Sequence, residues 1–151
     1  MDIGDANDIH PRDKKNVGIR LANNALAKTY GIKNIVYRGP QFSALKIQRD
    51  TCIISFEKES IAGGLATSDK QAPKHFYLAG EDKVFYLAEA KIIDDKVFLY
   101  SPNVKELVAV RYAFTNYPIT NFCNKAGLPA MPFRTDKWDD IQTPKTTTII
   151  K

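Results

Sequence analysis

The chain has 151 residues, of which 44% are hydrophobic and 26% are charged, and its formal net charge is +5. This composition excludes a disordered chain, because the apolar fraction is high and the net charge is small for the length. No apolar run approaches the ~20 residues that a membrane-spanning helix requires, and the acidic first residues are unlike the basic start of a signal peptide. The length fits one domain, or one domain with a fragment of another.

The basic residues are scattered, and the longest Lys/Arg run is Lys14-Lys15. Nothing resembles a recognition helix or an RNA-stacking motif, so we expect no nucleic-acid partner. Cys52 and Cys123 lack CxxC spacing, which argues against a metal site and leaves open whether they pair. Two distant histidines and scattered aspartates give no metal-ligand spacing, so we expect no metal and no cofactor.

After a loop over residues 1–10, the first predicted element is a helix over residues 11–30. Pro11 suits its first turn, where the missing N–H costs nothing, and Asp13 lies near the positive end. Gly31 is placed to end the helix. The apolar stripe recurs at helical spacing and consists of Val17, Leu21, Ala22, Ala25, Leu26 and Thr29.

From Ile35 onward, Val, Phe and Tyr dominate the apolar runs, and turn signals such as Arg49-Asp50 and Asp94-Asp95 divide them. This pattern predicts a mainly β (α+β) fold with an antiparallel β-sandwich. We expect Tyr117–Trp138 to be ordered loop and Asp139–Lys151 to be a polar tail. The predicted strands are Ala44–Gln48, Thr51–Glu57, Phe76–Ala79, Lys83–Lys91, Lys96–Tyr100 and Leu107–Phe114.

The order of these elements is unusual for an independent domain. A helix with an apolar stripe begins the chain, yet nothing before it supplies a sheet for that stripe to cover. We therefore expect the helix to be the last element of a larger α/β domain, followed by the β region.

Candidate catalytic residues are few. A general base needs an imidazole oriented by a carboxylate, and the sequence has two histidines, His10 and His75. Spacing alone favours a solvated histidine at a helix start for His10, and a strand-edge histidine for His75. The five serines lie in no Gly-x-Ser-x-Gly or Gly-Asp-Ser context, so no nucleophile is evident. The Gly-rich segment Ile61–Leu65 does not open a helix and is predicted to be a turn.

Several motifs in their expected order resemble the C-terminal end of the sialate O-acetylesterase family of SGNH-type hydrolases. The resemblance covers residues 2 to about 138. The motifs are Asp2–Lys14 with its Ile-His-Pro, Val17-Gly-x-Arg-Leu-Ala22, Gly39-Pro40, Phe76–Gly80, Glu89–Lys91, Val108–Phe114, Asn121, Asn124 and Gly127–Asp136.

In that family, an N-terminal α/β hydrolase domain carries the nucleophilic serine far upstream, and the Ile-His-Pro loop delivers a histidine. The resemblance implies that His10 is the general base and that Asp5 orients it. The common Asp-x-x-His spacing falls on Asn7, so Asp2 and Asp8 stay as alternatives for the acid. The implied division is 1–34, the end of the hydrolase domain; 35–138, the β-sandwich-like domain; and 139–151, the tail.

The resemblance also implies a function for the parent enzyme. It would hydrolyse acetyl esters on O-acetylated sugars, including the 9-O position of sialic acid, in the periplasm or outside the cell. The chain alone would be inactive, because the serine belongs to a missing N-terminal hydrolase domain that would be its partner. The alternative is a non-catalytic β-sandwich module for carbohydrate binding or domain packing.

Overall fold

A computed structural model describes residues 2–10 and 12–138. Helix α1 spans Lys14–Lys28 and begins later than predicted, because Asp13 caps it: its carboxylate accepts a hydrogen bond from the Asn16 N–H at 3.0 Å. Pro11 lies outside the described residues. Gly31 has a φ of 67° just beyond the helix, as its predicted role in ending the helix requires.

The apolar stripe of α1 finds little cover in this chain. No residue of the helix is buried, and Leu21 remains 68% exposed. The strands that follow therefore do not supply the surface that this stripe would cover.

Ten strands form three antiparallel sheets in the described part of the chain. The sheet orders are β1-β2-β7-β6, β10-β8-β4-β5 and β3-β9. The strand bounds are β1 Phe42–Gln48, β2 Thr51–Phe56, β3 Leu65–Thr67, β4 Phe76–Ala79, β5 Tyr86–Leu87, β6 Glu89–Ile93, β7 Lys96–Tyr100, β8 Ala109–Tyr112, β9 Phe122–Asn124 and β10 Phe133–Arg134.

The mainly β fold and its sandwich-like arrangement are confirmed. Along β2, buried and half-buried residues alternate, and Cys52, Ile54 and Phe56 point into the core. Phe76 of β4 and Tyr112 of β8 enter the same cluster from the other four-stranded sheet. The two sheets therefore pack face to face around one apolar core. Within it Cys52 is a free thiol whose pKa burial raises to about 12, and Cys123 is also buried and free.

Two sequence predictions about the strands are wrong. Lys83–Lys91 is not one strand, because the chain changes partners at Ala88: the Ala88 N–H donates to Phe76 O at 2.9 Å, whereas Glu89 pairs with Tyr100 of the other sheet. The segment Tyr117–Trp138 is not only loop, since it contains β9 and β10. The predicted tail Asp139–Lys151 lies outside the described residues.

A second layer, which includes Phe85 and Asp136, covers the outer face of the sheet that contains β4 and β8. Both strands are buried along their whole length. Arg111 of β8 is 0% exposed, and it donates to both oxygens of Asp136 at 2.8 and 2.7 Å. The centroid of the Phe85 ring lies 4.0 Å from the guanidinium carbon of Arg111. A buried charge of this kind is tolerated because two hydrogen bonds pair it with a carboxylate of opposite charge.

We expect Asp136→Asn to lower the free energy of unfolding by about 3–5 kcal/mol, because it removes the negative charge that balances a buried guanidinium. Urea unfolding followed by tryptophan fluorescence and circular dichroism measures the change. Asp50→Asn, in an exposed hairpin turn, is the matched control and should change the free energy by less than about 0.5 kcal/mol. A silent Asp136 variant would show that the pair does not hold this layer.

The same pair predicts a pH dependence. The hydrogen bonds from Arg111 hold the pKa of Asp136 below its ordinary value. A carboxylate with a lowered pKa stabilises the fold above its unfolded pKa of about 3.9, and this contribution is lost as the pH falls through the folded value. We expect the free energy of unfolding to fall as the pH is lowered below about 5, and to fall less in Asp136→Asn. Urea titrations across this range test both statements.

Candidate functional site

The loop that carries His10 is built by its own aspartates. Asp5 accepts a hydrogen bond from the Asn7 N–H at 2.9 Å, and Asp8 accepts one from the His10 N–H at 2.8 Å. In both cases the side chain binds the backbone two residues on, which fixes a turn without help from a sheet or helix. The sequence Asp-Ala-Asn-Asp-Ile-His therefore folds locally into two successive turns that end at His10.

The side chain of His10 is open to solvent. His10 is exposed, and among residues 2–10 and 12–138 its side chain has no hydrogen-bond partner. Asp5 is exposed as well, and no hydrogen bond or ion pair joins it to His10 in this part of the chain. The described chain thus places the two predicted site residues on one loop without bringing their side chains together.

Two contacts anchor this loop to the remainder of the structure. Asp2 and Arg20 of α1 form a two-point ion pair, with an Nη1–Oδ1 distance of 3.0 Å, and hydrogen bonds from Arg20 lower the pKa of Asp2. The Tyr117 hydroxyl donates to Gly4 O at 2.7 Å. Sequence reasoning assigned no role to Arg20 or Tyr117, although Arg20 belongs to a motif that carries the resemblance.

The three candidate acids make different contacts within the described residues. Asp2 is occupied by Arg20, and Asp8 holds the backbone of His10 and lies 3.9 Å from the Nε of the exposed Arg12. Asp5 uses only its Oδ1 among the described residues, so its Oδ2 is the carboxylate oxygen available for another donor.

His75 has a different setting. It immediately precedes β4 and has a φ of 64°, a left-handed conformation that is uncommon for a residue with a side chain. Its ring centroid lies 6.5 Å from that of Tyr77, and its side chain is half-buried. Its place at the start of β4 agrees with the strand-edge interpretation.

Asn121 and Asn124 of the resemblance motifs prove to be structural. Asn124 donates to Ser60 O at 2.9 Å and to Arg38 O at 3.1 Å, and Asn121 donates to Asp69 at 2.8 Å. Both side-chain amides are buried, and their hydrogen bonds connect loops that are not joined by strand pairing. The residues of 2–10 and 12–138 contain no group of three or more potential metal ligands, and no helix there is long and apolar enough to cross a membrane.

We expect Asp2→Asn to loosen the His10 loop while leaving the β region intact. The ion pair with Arg20 is partly exposed, so its loss should cost less than about 1 kcal/mol of global stability. Hydrogen exchange of the amides in residues 2–10 should accelerate, and that of β4 and β8 amides should not change. Asp50→Asn is again the control, and unchanged loop exchange in Asp2→Asn would contradict the anchoring role.

Comparison with known proteins relates the chain to carbohydrate esterases. No protein-family model matches it, and a search of the curated proteins finds no match. A crystal structure of a carbohydrate acetylesterase from Xanthomonas citri matches with a TM-score of 0.85 and 37% sequence identity. The match covers 91% of this chain but 31% of that protein, so the chain spans less than a third of its relative's length. The chain is thus related in sequence and fold to one part of a carbohydrate acetylesterase.

Proposed function

We propose that this chain is the C-terminal part of a serine carbohydrate acetylesterase in which His10 is the general base. The observation that carries the proposal is the 37% identity to a carbohydrate acetylesterase over 91% of the chain. The motif resemblance supports the finer assignment to an SGNH-type enzyme that acts on O-acetylated sugars such as 9-O-acetylated sialic acid. It also supports a periplasmic or secreted location.

The exposed position of His10 supports this role. Motif residues such as Arg111, Asp136 and Asn124 are buried and bonded within the fold. His10, in contrast, has an exposed side chain on an anchored loop, with no partner among the described residues. A base that serves a nucleophile from another segment must project outward in this way, because the two side chains have to come within hydrogen-bond reach.

The chemistry follows from these roles. A serine supplied by the hydrolase domain attacks the acetyl carbonyl, and His10 accepts the hydroxyl proton as the Oγ–C bond forms. The imidazolium then protonates the sugar oxygen, and the ester bond breaks. Water attacks the acetyl-serine with His10 again as base, which releases acetate and restores the serine. Without the serine there is no acyl acceptor, so the isolated chain is inactive.

Asp5 is the proposed acid that orients His10. Its Oδ1 keeps the turn to Asn7, and its Oδ2 is available to accept from an imidazole nitrogen once the loop meets the hydrolase domain. An acid in this role selects the tautomer of the base and stabilises the imidazolium. Asp2 is less suited, because it already pairs with Arg20.

The proposed division of the chain into domains also rests on the motif resemblance. Residues 1–34 would complete the hydrolase domain, and residues 35–138 would form the accessory β domain. The absence of buried residues in α1 supports this division, since an amphipathic helix in a complete α/β domain lies against a sheet. The apolar side chain of Leu21 is then available to that sheet.

The test uses the complete enzyme and the isolated chain. In the complete enzyme, we expect His10→Ala to lower kcat for p-nitrophenyl acetate by about 10³-fold or more, as when one member of a catalytic unit is lost. Asp5→Asn should lower it less. The isolated chain should hydrolyse the ester at the rate of a control protein with an exposed imidazole.

Asp50→Asn is the matched control for the aspartate variant and should leave kcat unchanged. Near-normal activity of His10→Ala would remove the catalytic assignment. A silent Asp5→Asn variant would move the acid to Asp8 or Asp2. Serine-dependent turnover by the isolated chain would contradict the assignment of the nucleophile to a missing domain.

A further inference from the structure

A large open groove lies at the corner where β5 passes into β6, apart from the His10 loop. Its volume is about 1250 Å³, and its walls come from residues 71–75, the β5–β6 corner and the end of β7. Compact sites of about 300–1,000 Å³ suffice for most small ligands, so this groove has room for an extended one.

Aromatic and charged side chains share one face of this groove. Phe98 and Tyr100 lie two residues apart on β7 and therefore project from the same side of the sheet, about 7 Å apart along the strand. Lys91 pairs with Phe98, and Glu89 pairs with Tyr100, so each aromatic residue has a charged neighbour on its own face. A ligand that contacts both rings must extend along β7.

Five polar side chains that line the groove are unused by the fold, whereas the Lys74 ammonium pairs with Asp69. Among the described residues, the side chains of His75, Tyr77, Glu89, Lys91 and Tyr100 have no hydrogen-bond partner within the chain, and all five line the groove. Tyr77 is notable because it is only 8% exposed, and burial raises the pKa of its hydroxyl. Because these side chains keep their donors and acceptors free at the wall of the groove, they can hydrogen-bond a ligand without breaking a contact of the fold.

We propose that this groove binds an oligosaccharide segment of the carbohydrate, with sugar rings packed on Phe98 and Tyr100. A pyranose ring has an apolar C–H face, which suits an aromatic ring, and a rim of hydroxyls that donate and accept. The groove combines both features: two aromatic rings on one strand, with a carboxylate, an ammonium, an imidazole and a phenol around them. The relation to a carbohydrate acetylesterase favours a carbohydrate as the ligand.

This binding does not depend on the catalytic role of His10. The groove is lined by residues 71–75 and by residues of β2 and of β4 to β7, whereas the His10 loop is held by Asp2–Arg20 and Tyr117–Gly4. The groove would hold a stretch of the oligosaccharide beyond the acetylated sugar, which raises the local concentration of ester groups near the enzyme.

The test is an NMR titration of the isolated chain with three soluble probes: cellohexaose, xylohexaose and the acidic trisaccharide sialyllactose. We expect at least one probe to bind with a dissociation constant of ~1 mM, and to shift amides of residues 71–77, 87–91 and 98–100. Tyr100→Ala, at a position that is 38% exposed, should weaken this binding about tenfold or more. Tyr77→Phe, which removes one hydroxyl, should weaken it by a smaller factor.

Tyr30→Ala is the matched control, since Tyr30 is an exposed tyrosine outside the groove. A preference for sialyllactose that Lys91→Gln abolishes would identify an acidic glycan, and binding that Lys91→Gln leaves unchanged would identify a neutral one. The proposal is overturned if no probe shifts the groove amides, if Tyr100→Ala binds as tightly as the parent chain, or if groove shifts depend on protein concentration without sugar. Ester hydrolysis is measured separately on the complete enzyme, so failure here leaves the His10 proposal intact.

Discussion

The buried pair of Arg111 and Asp136 is the contact on which the outer layer of the fold depends. It joins β8 to the segment after β10, and neither side chain is more than 1% exposed. Since a guanidinium without a balancing charge would require water, the pair allows β4 and β8 to be buried on both faces. Tyr77 lies opposite Arg111 in the sheet register, so the layer that covers Arg111 also holds one wall of the groove.

Most motif residues that carry the resemblance hold this scaffold rather than perform chemistry. A Cβ on Gly39 would lie 1.8 Å from Pro129 O, so this position excludes any side chain. The buried amide of Asn124 connects three loops through hydrogen bonds to Ser60, Arg38 and Leu128. The motif match therefore reports a shared architecture first, and His10 is a motif residue whose side chain makes no hydrogen bond among the described residues.

The sequence predicted elements well wherever local signals were sufficient. Phe76–Ala79 and Lys96–Tyr100 match residue for residue, and Asp94-Asp95 adopts the positive φ values of a tight turn. The prediction failed at Ala88, because alternation continues there while the hydrogen-bonding partner changes sheet. It also failed for β9, a three-residue strand among prolines whose existence depends on pairing with Leu65–Thr67. Periodicity specifies which face a residue occupies, but not which distant strand pairs with it.

For the proposed catalytic loop, the sequence could not predict which aspartate orients His10. The sequence places three aspartates near His10, and the structure shows the hydrogen bonds that each of them makes. Asp2 binds Arg20 through both of its oxygens. Asp8, like Asp5, accepts a backbone N–H through Oδ1, but its Oδ2 lies 3.9 Å from the Nε of Arg12. Asp5 is the carboxylate that can keep its turn through one oxygen and serve the base through the other. Arg20 of α1 and Tyr117 of the β region anchor the loop, and under the proposed function the final orientation of His10 depends on the domain that brings the serine.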